Sequence, residues 1–170
     1  MKLLVLRLVV YSSLVLSSFQ LSQSPSNSAK GSMAMSVFAT IIVEGTAVQQ
    51  RLRQANKLHL AGHYEGAIAQ FSKILRRQPG HLEALVCRAY SHVALDNFEA
   101  ALQDCNQAIQ VRPDYETAYA CRAKVKLDGA GDKAGAIADL EKCLELCNAQ
   151  TPAAFRDGAV AELERLRSAS

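Results

Sequence analysis

Three pairs of side chains in this sequence have the type and spacing to do chemistry. His59 and His63 stand four apart, a separation that stacks two imidazoles on one face of an unbroken helix, where they could hold a metal. Ala61-Gly62 falls between them, and a helix broken there leaves two surface histidines at a turn. Cys143 and Cys147 have the same spacing and offer soft-metal ligands or an oxidisable pair. Cys143 takes a place in the apolar pattern that Ile74 and Ala108 hold elsewhere, so core packing accounts for it. Cys87 and Cys121 each precede an arginine, Arg88 and Arg122, and a neighbouring guanidinium can lower a thiol pKa and make it reactive. A thiol redox role for these two is one expectation. Duplication of an ancestral unit explains the same pairing without chemistry.

No other motif points to catalysis. The sequence has no G-x-x-x-x-G-K-[ST], no H-E-x-x-H, no G-x-S-x-G and no G-x-G-x-x-G followed by a strand. The expectation is a protein that is not an enzyme, with no catalytic residue, no metal and no cofactor. Five cysteines, an odd number set inside helical pattern, suit free thiols in a reducing compartment better than a disulfide framework.

The elements that position these residues follow from a repeat. A shift of 34 aligns Ala55 with Ala89, Tyr64 with Phe98, Glu65 with Glu99, Ala67 with Ala101 and Pro79 with Pro113. Ala84-Leu-Val-Cys-Arg-Ala89 returns at 34 as Ala118-Tyr-Ala-Cys-Arg-Ala123, and after one extra residue in LDGAGDK, Ala101, Cys105 and Ile109 return at 35 as Ala136, Leu140 and Leu144. Within a unit, Leu52, Ala55 and Leu58, then Ile68, Phe71, Ile74 and Leu75, recur at three and four, the spacing of one helix face. Gly62 supplies the turn between them and Pro79-Gly80 stops the second helix. Each unit is a helical hairpin that buries its face only by stacking on the next. Gly129-Ala-Gly131 is expected to lengthen the turn of the third hairpin. Thr151-Pro152 is expected to cap a last helix with the apolar stripe Phe155, Ala159, Val160, Leu163 and Leu166.

The spacing Ala55…Gly62-His-Tyr64…Ala67…Phe71…Pro79, with its copy Ala89…Phe98…Ala101…Pro113, resembles the tetratricopeptide repeat (TPR) signature. The resemblance implies an all-α fold: an α-solenoid of three stacked helix-turn-helix repeats, about 48–81, 82–115 and 116–149, with a seventh capping helix at about 152–168. It departs from the pattern where Asn148 replaces the closing proline. By the same resemblance a concave groove is lined by Gln49, Leu52, Arg53 and Asn56, by Glu83, Val86, Cys87 and Tyr90, and by Thr117, Ala120, Cys121 and Lys124. Such a groove suits an extended or helical peptide. The expected function is that of a protein-binding adaptor or scaffold.

A co-chaperone-like alternative follows from the same family. Its clamp members grip acidic heat-shock chaperone tails through Lys, Asn, Asn, Lys and Arg, which make charge-assisted hydrogen bonds to two carboxylates. The matching positions here are Leu52, Asn56, Cys87, Thr117 and Cys121, and of these only Asn56 has the family's residue. A thiol redox protein is the third reading.

Residues 1–20 have the charged start and apolar run, Leu3 to Leu16, of a secretory signal peptide, although Arg7 interrupts the run and no clean small-x-small site follows. Met33 and Met35 offer alternative starts. Residues 21–36 are Ser-rich and polar, and 21–46 are expected to form a flexible linker to the domain at 47–170. The expected location is cytoplasmic, with the secretory pathway as the alternative if the leader is genuine, and a membrane partner only if it is an uncleaved anchor. The formal charge of +3 divides into +2 for residues 1–45 and +1 for the rest. With no basic block in the body of the chain, no nucleic-acid partner is expected. The 49% hydrophobic fraction and 13 glycines and prolines in 170 residues exclude disorder and a turn-rich all-β fold.

Overall fold

Helix follows helix in the order the repeat demands. The structure, a computed structural model, describes residues 46–168. The leader at 1–20 and all but the last residue of the linker at 21–46 lie outside the described residues. Contacts divide the chain into Met1–Thr46 and Ala47–Ser170, and the second unit holds the helical array. Among the described residues the helices are α1 (46–60), α2 (Tyr64–Arg77), α3 (Leu82–Val93), α4 (Phe98–Val111), α5 (Glu116–Ala130), α6 (Lys133–Leu146) and α7 (Ala153–Ser168), and there is no strand.

Apolar periodicity fixes which face of each helix is covered. In α2 the buried set is Ala67, Phe71, Ile74 and Leu75, spaced as one helical stripe. Phe71, Ile74 and Leu85 are fully enclosed, each contributing about 1.5–3 kcal/mol by its removal from water. One core runs from Val48 and Leu52 through α2, α3 and α4 to Cys121 and Val125 of α5. A second core joins Ala123 of α5, Leu140 and Cys143 of α6, and Ala159, Leu163 and Leu166 of α7. Helix α7 therefore closes the apolar end that the third hairpin leaves exposed. Successive helices from α2 to α7 pack on one another, and α3 also touches α5 directly.

The hairpin turns repeat a single backbone device. Gly62, Asp96 and Gly131 occupy corresponding positions and have φ of +78°, +57° and +62°, the left-handed region that ends a helix cheaply only with glycine. Asp96 takes that conformation with a side chain, which aspartate tolerates better than most residues. The inserted residue of the third unit does not lengthen the turn as expected. It is absorbed into α5, which has 15 residues against 12 in α3, and only Gly131 and Asp132 separate α5 from α6. Asp132 caps α6, its Oδ1 accepting from Gly135 N–H at 2.8 Å. The longer α5 passes close to α4: a Cβ on Gly129 would stand 2.7 Å from Cβ and Cγ of Phe98, so only glycine fits.

Two details at the last helix differ from expectation. Thr151 turns back instead of capping forward, its Oγ1 accepting from Asn148 N–H at 3.0 Å, and this ties down the loop that proline would otherwise stiffen. Val160 is 38% exposed; the buried stripe of α7 consists of Ala159, Leu163 and Leu166.

Candidate functional site

The expected groove residues fall into two groups. Gln49, Arg53, Glu83 and Lys124 are exposed, while Asn56, Cys87, Tyr90, Thr117 and Ala120 are half-buried. Leu52, Val86 and Cys121 are at most 3% exposed and belong to the core, so they cannot line a groove. The positions they hold face the neighbouring helix, and a small side chain such as Cys121 is covered there where a longer one would emerge.

A cavity of about 580 Å³ lies between α5 and α7. Tyr90, Ala120 and Lys124 from the expected set line it, together with Leu127 of α5 and Phe155 and Gly158 of α7. The cap helix is thus a wall of this cavity as well as a lid on the core. Its contribution was signalled by Phe155, Gly158 and Glu162, which recur at three and four beside the buried stripe. The rim carries paired charge: Lys124 Nζ meets Asp128 at 2.8 Å, and Arg165 is held by Glu162 through Nε at 2.8 Å. An apolar floor with a balanced polar rim is the form of a peptide-binding surface.

Outside this cavity, Asn56 Nδ2 donates to Glu83 Oε1 at 3.5 Å. The one residue that matches a carboxylate clamp therefore sits beside a resident carboxylate, which repels an incoming one.

Arg88 and Arg122 do not face the thiols that precede them. Arg88 grips Asp104 of α4 with Nε and Nη2, at 2.8 and 2.5 Å, and reaches Ser72 of α2 with Nη1 at 2.9 Å. One unit later Arg122 bonds Asp139 of α6 at 2.9 and 2.7 Å and Asn106 of α4 at 2.9 Å, and Lys126 Nζ adds a contact to Asp139 at 2.8 Å. Each arginine thus staples three helices through a nearly buried aspartate, 3% exposed for Asp104 and 4% for Asp139. Fork-to-carboxylate geometry of this kind is directional as well as strong. Burial opposes ionisation of Asp139, but Arg122 and Lys126 outweigh it and hold the carboxyl below its usual range.

The thiols are correspondingly quiet. Burial, with Glu83 adding, pushes Cys87 up to about 11. The hydrogen bond to Cys105 and then burial raise Cys121. Burial and the neighbouring Cys147 push Cys143 up to about 12. The thiolate that redox chemistry needs is disfavoured at each. Nor do the histidines pair: His59 is half-buried, with Nδ1 2.9 Å from Ser91 Oγ and its ring edge-on to Tyr64, whereas His63 is exposed at the start of α2. His59 is therefore a packing residue and not a surface one. Among the described residues no group of three or more His, Cys, Asp or Glu is placed to hold a metal, and no helix is long and apolar enough to cross a membrane.

Comparison with known proteins agrees with this architecture. Residues 82–115 match the tetratricopeptide repeat family. The mouse FK506-binding protein-like is 34% identical over 83 residues, covering 49% of this chain and 24% of that protein. RNA polymerase II-associated protein 3 of Xenopus laevis is 31% identical over 106 residues, covering 62% of this chain and 16% of that one. The chain thus spans about a quarter or less of the length of these relatives. Among solved structures, the first TPR domain of human RPAP3 superposes with a TM-score of 0.63 at 25% identity, covering 72% of this chain and 91% of that one. The first TPR of Spaghetti (RPAP3), solved bound to the HSP90 peptide SRMEEVD, gives 0.61 at 25% identity with the same coverage. The helical array has the tetratricopeptide-repeat fold, three hairpins and a cap helix, and its second hairpin matches the family itself.

Proposed function

We propose that this chain is a non-catalytic interaction module that holds a peptide segment of a partner protein in its concave groove. The observation that carries this reading is the cavity of about 580 Å³ walled by Tyr90, Ala120, Leu127, Phe155 and Gly158, with Arg53 and Lys124 exposed in the same groove set. The apolar floor takes a side chain of the guest, and the rim charges orient its backbone and polar groups. The test is selection of peptides from a random display library on the full chain, followed by titration of the selected peptide against the Arg53→Glu, Lys124→Glu double variant. Binding weakened at least tenfold, about 1.4 kcal/mol, supports the groove. Undiminished binding moves the site to the convex face.

A chaperone-tail reading rests on the neighbours solved with heat-shock peptides, among them the second TPR domain of human RPAP3 with the HSP70 peptide SGPTIEEVD. Asn56 is its one matching residue here, and Glu83 stands beside that amide. Peptide SRMEEVD is therefore expected to bind more weakly than micromolar, on the scale where micromolar is about −8 kcal/mol. Micromolar binding by calorimetry would establish the tail reading in place of the general one.

A further inference from the structure

We infer that Cys105 and Cys121 are a modification site, the two halves of an intramolecular disulfide that joins α4 of the second hairpin to α5 of the third. Their sulfurs stand 3.1 Å apart, so closing to the roughly 2.05 Å of a disulfide takes a movement of about 1 Å. Both side chains are fully buried, and they lie on helices that pack directly on one another.

The site grows out of the repeat register. The place of Cys105 belongs to Phe71 in the first hairpin and to Leu140 in the third, both of them large core residues. In the second hairpin a thiol stands there instead and meets the thiol of the following unit. The next residues along the same two helices, Asn106 and Arg122, hydrogen bond at 2.9 Å. That bond holds α4 and α5 in register beside the sulfurs. The odd cysteine count is then one bonded pair and three thiols, Cys87, Cys143 and Cys147.

Bond formation breaks both S–H bonds and makes one Sγ–Sγ bond. Two electrons and two protons pass to an oxidised low-molecular-weight disulfide such as oxidised glutathione, whose own bond is cleaved to two thiols. Complete burial denies that oxidant access in the folded chain, so the bond forms while the α4–α5 contact is still open, during folding. Once made, it ties together two hairpins whose first helices, α3 and α5, both line the groove.

The experiment uses the full chain, unfolded and reduced, then refolded in a mixture of reduced and oxidised glutathione, quenched with acid and alkylated in denaturant without reductant. Cleavage before Asp104, Asp114 and Asp128 puts the two cysteines on separate peptides. The expected result is those two peptides joined and lighter by two hydrogens, with Cys87, Cys143 and Cys147 alkylated. A Cys87→Ser chain is expected to give the same linkage. Alkylation of all five thiols, glutathione retained on Cys105 or Cys121, or a bond between any other pair overturns the proposal. Because the mapping is done on the unaltered chain, failure of a variant to fold does not affect it.

Discussion

Replacing Asp139 by asparagine removes one charge from the centre of the third hairpin and keeps the shape of the side chain. The carboxylate accepts from Arg122 Nε and Nη2 at 2.9 and 2.7 Å and from Lys126 Nζ at 2.8 Å. An amide accepts at one atom only: with its oxygen at the Oδ2 place, where Arg122 Nε and Lys126 Nζ both bond, one of the three contacts is lost or reversed, and with its oxygen at the Oδ1 place two are. Hydrogen bonds to charged groups contribute about 1.5–3 kcal/mol each, which sets an upper figure of about 6 kcal/mol. Arg122 and Lys126 are 22% and 25% exposed, so both cations recover part of their hydration and the expected loss is about 2–3 kcal/mol. Urea unfolding followed by helical circular dichroism reads this as a lower midpoint at unchanged slope. The pH dependence has a definite sign. A carboxyl held below its usual range contributes stability above the unfolded value, near 3.9, and loses it as pH falls through the lower folded value. The wild type is therefore expected to shed, below about pH 4, a component of stability that Asp139→Asn lacks at every pH. A loss under about 0.5 kcal/mol, the range of ordinary surface substitutions, would refute the stapling argument.

Further outcomes follow from the turns and the thiols. Gly129→Ala places a Cβ 2.7 Å from the Phe98 side chain and is expected to cost about 1–3 kcal/mol in the same urea assay. Asp96→Gly relieves a non-glycine residue at φ +57° and is expected to raise stability by about 0.5–1 kcal/mol. Cys87, pushed up to about 11 by burial and Glu83, is expected to react with a thiol reagent at pH 7.5 far more slowly than free cysteine, and a rate equal to free cysteine would restore the redox reading.

The repeat, the hairpins and the cap helix were legible because they rest on apolar residues recurring within one element, where periodicity is a direct physical signal. The partners of Arg88 and Arg122 were not. Asp104 and Asp139 lie on other helices, and nothing in the sequence says which face of α3 or α5 meets them, so the adjacent cysteines drew the reading. Of the twelve residues expected in the groove, nine keep some exposure. Leu52, Val86 and Cys121 were misread because burial at their positions depends on the size of the side chain across the helix contact. The inserted residue of the third unit was placed in a loop by composition, since glycine favours turns. Tertiary packing against Phe98 kept it in α5 instead.

The central claim is that the concave cavity between α5 and α7 holds the partner's peptide. A Cβ at Gly158 meets nothing within 4 Å, and Gly158 lines that cavity, so Gly158→Trp brings an indole to the cavity from a position where its first side-chain atom has room. The decisive measurement is the dissociation constant of a display-selected peptide for the wild type and for Gly158→Trp, with circular dichroism confirming that both are folded. At least a tenfold weaker affinity in the filled variant is the result predicted; equal affinity in two folded proteins would contradict the account.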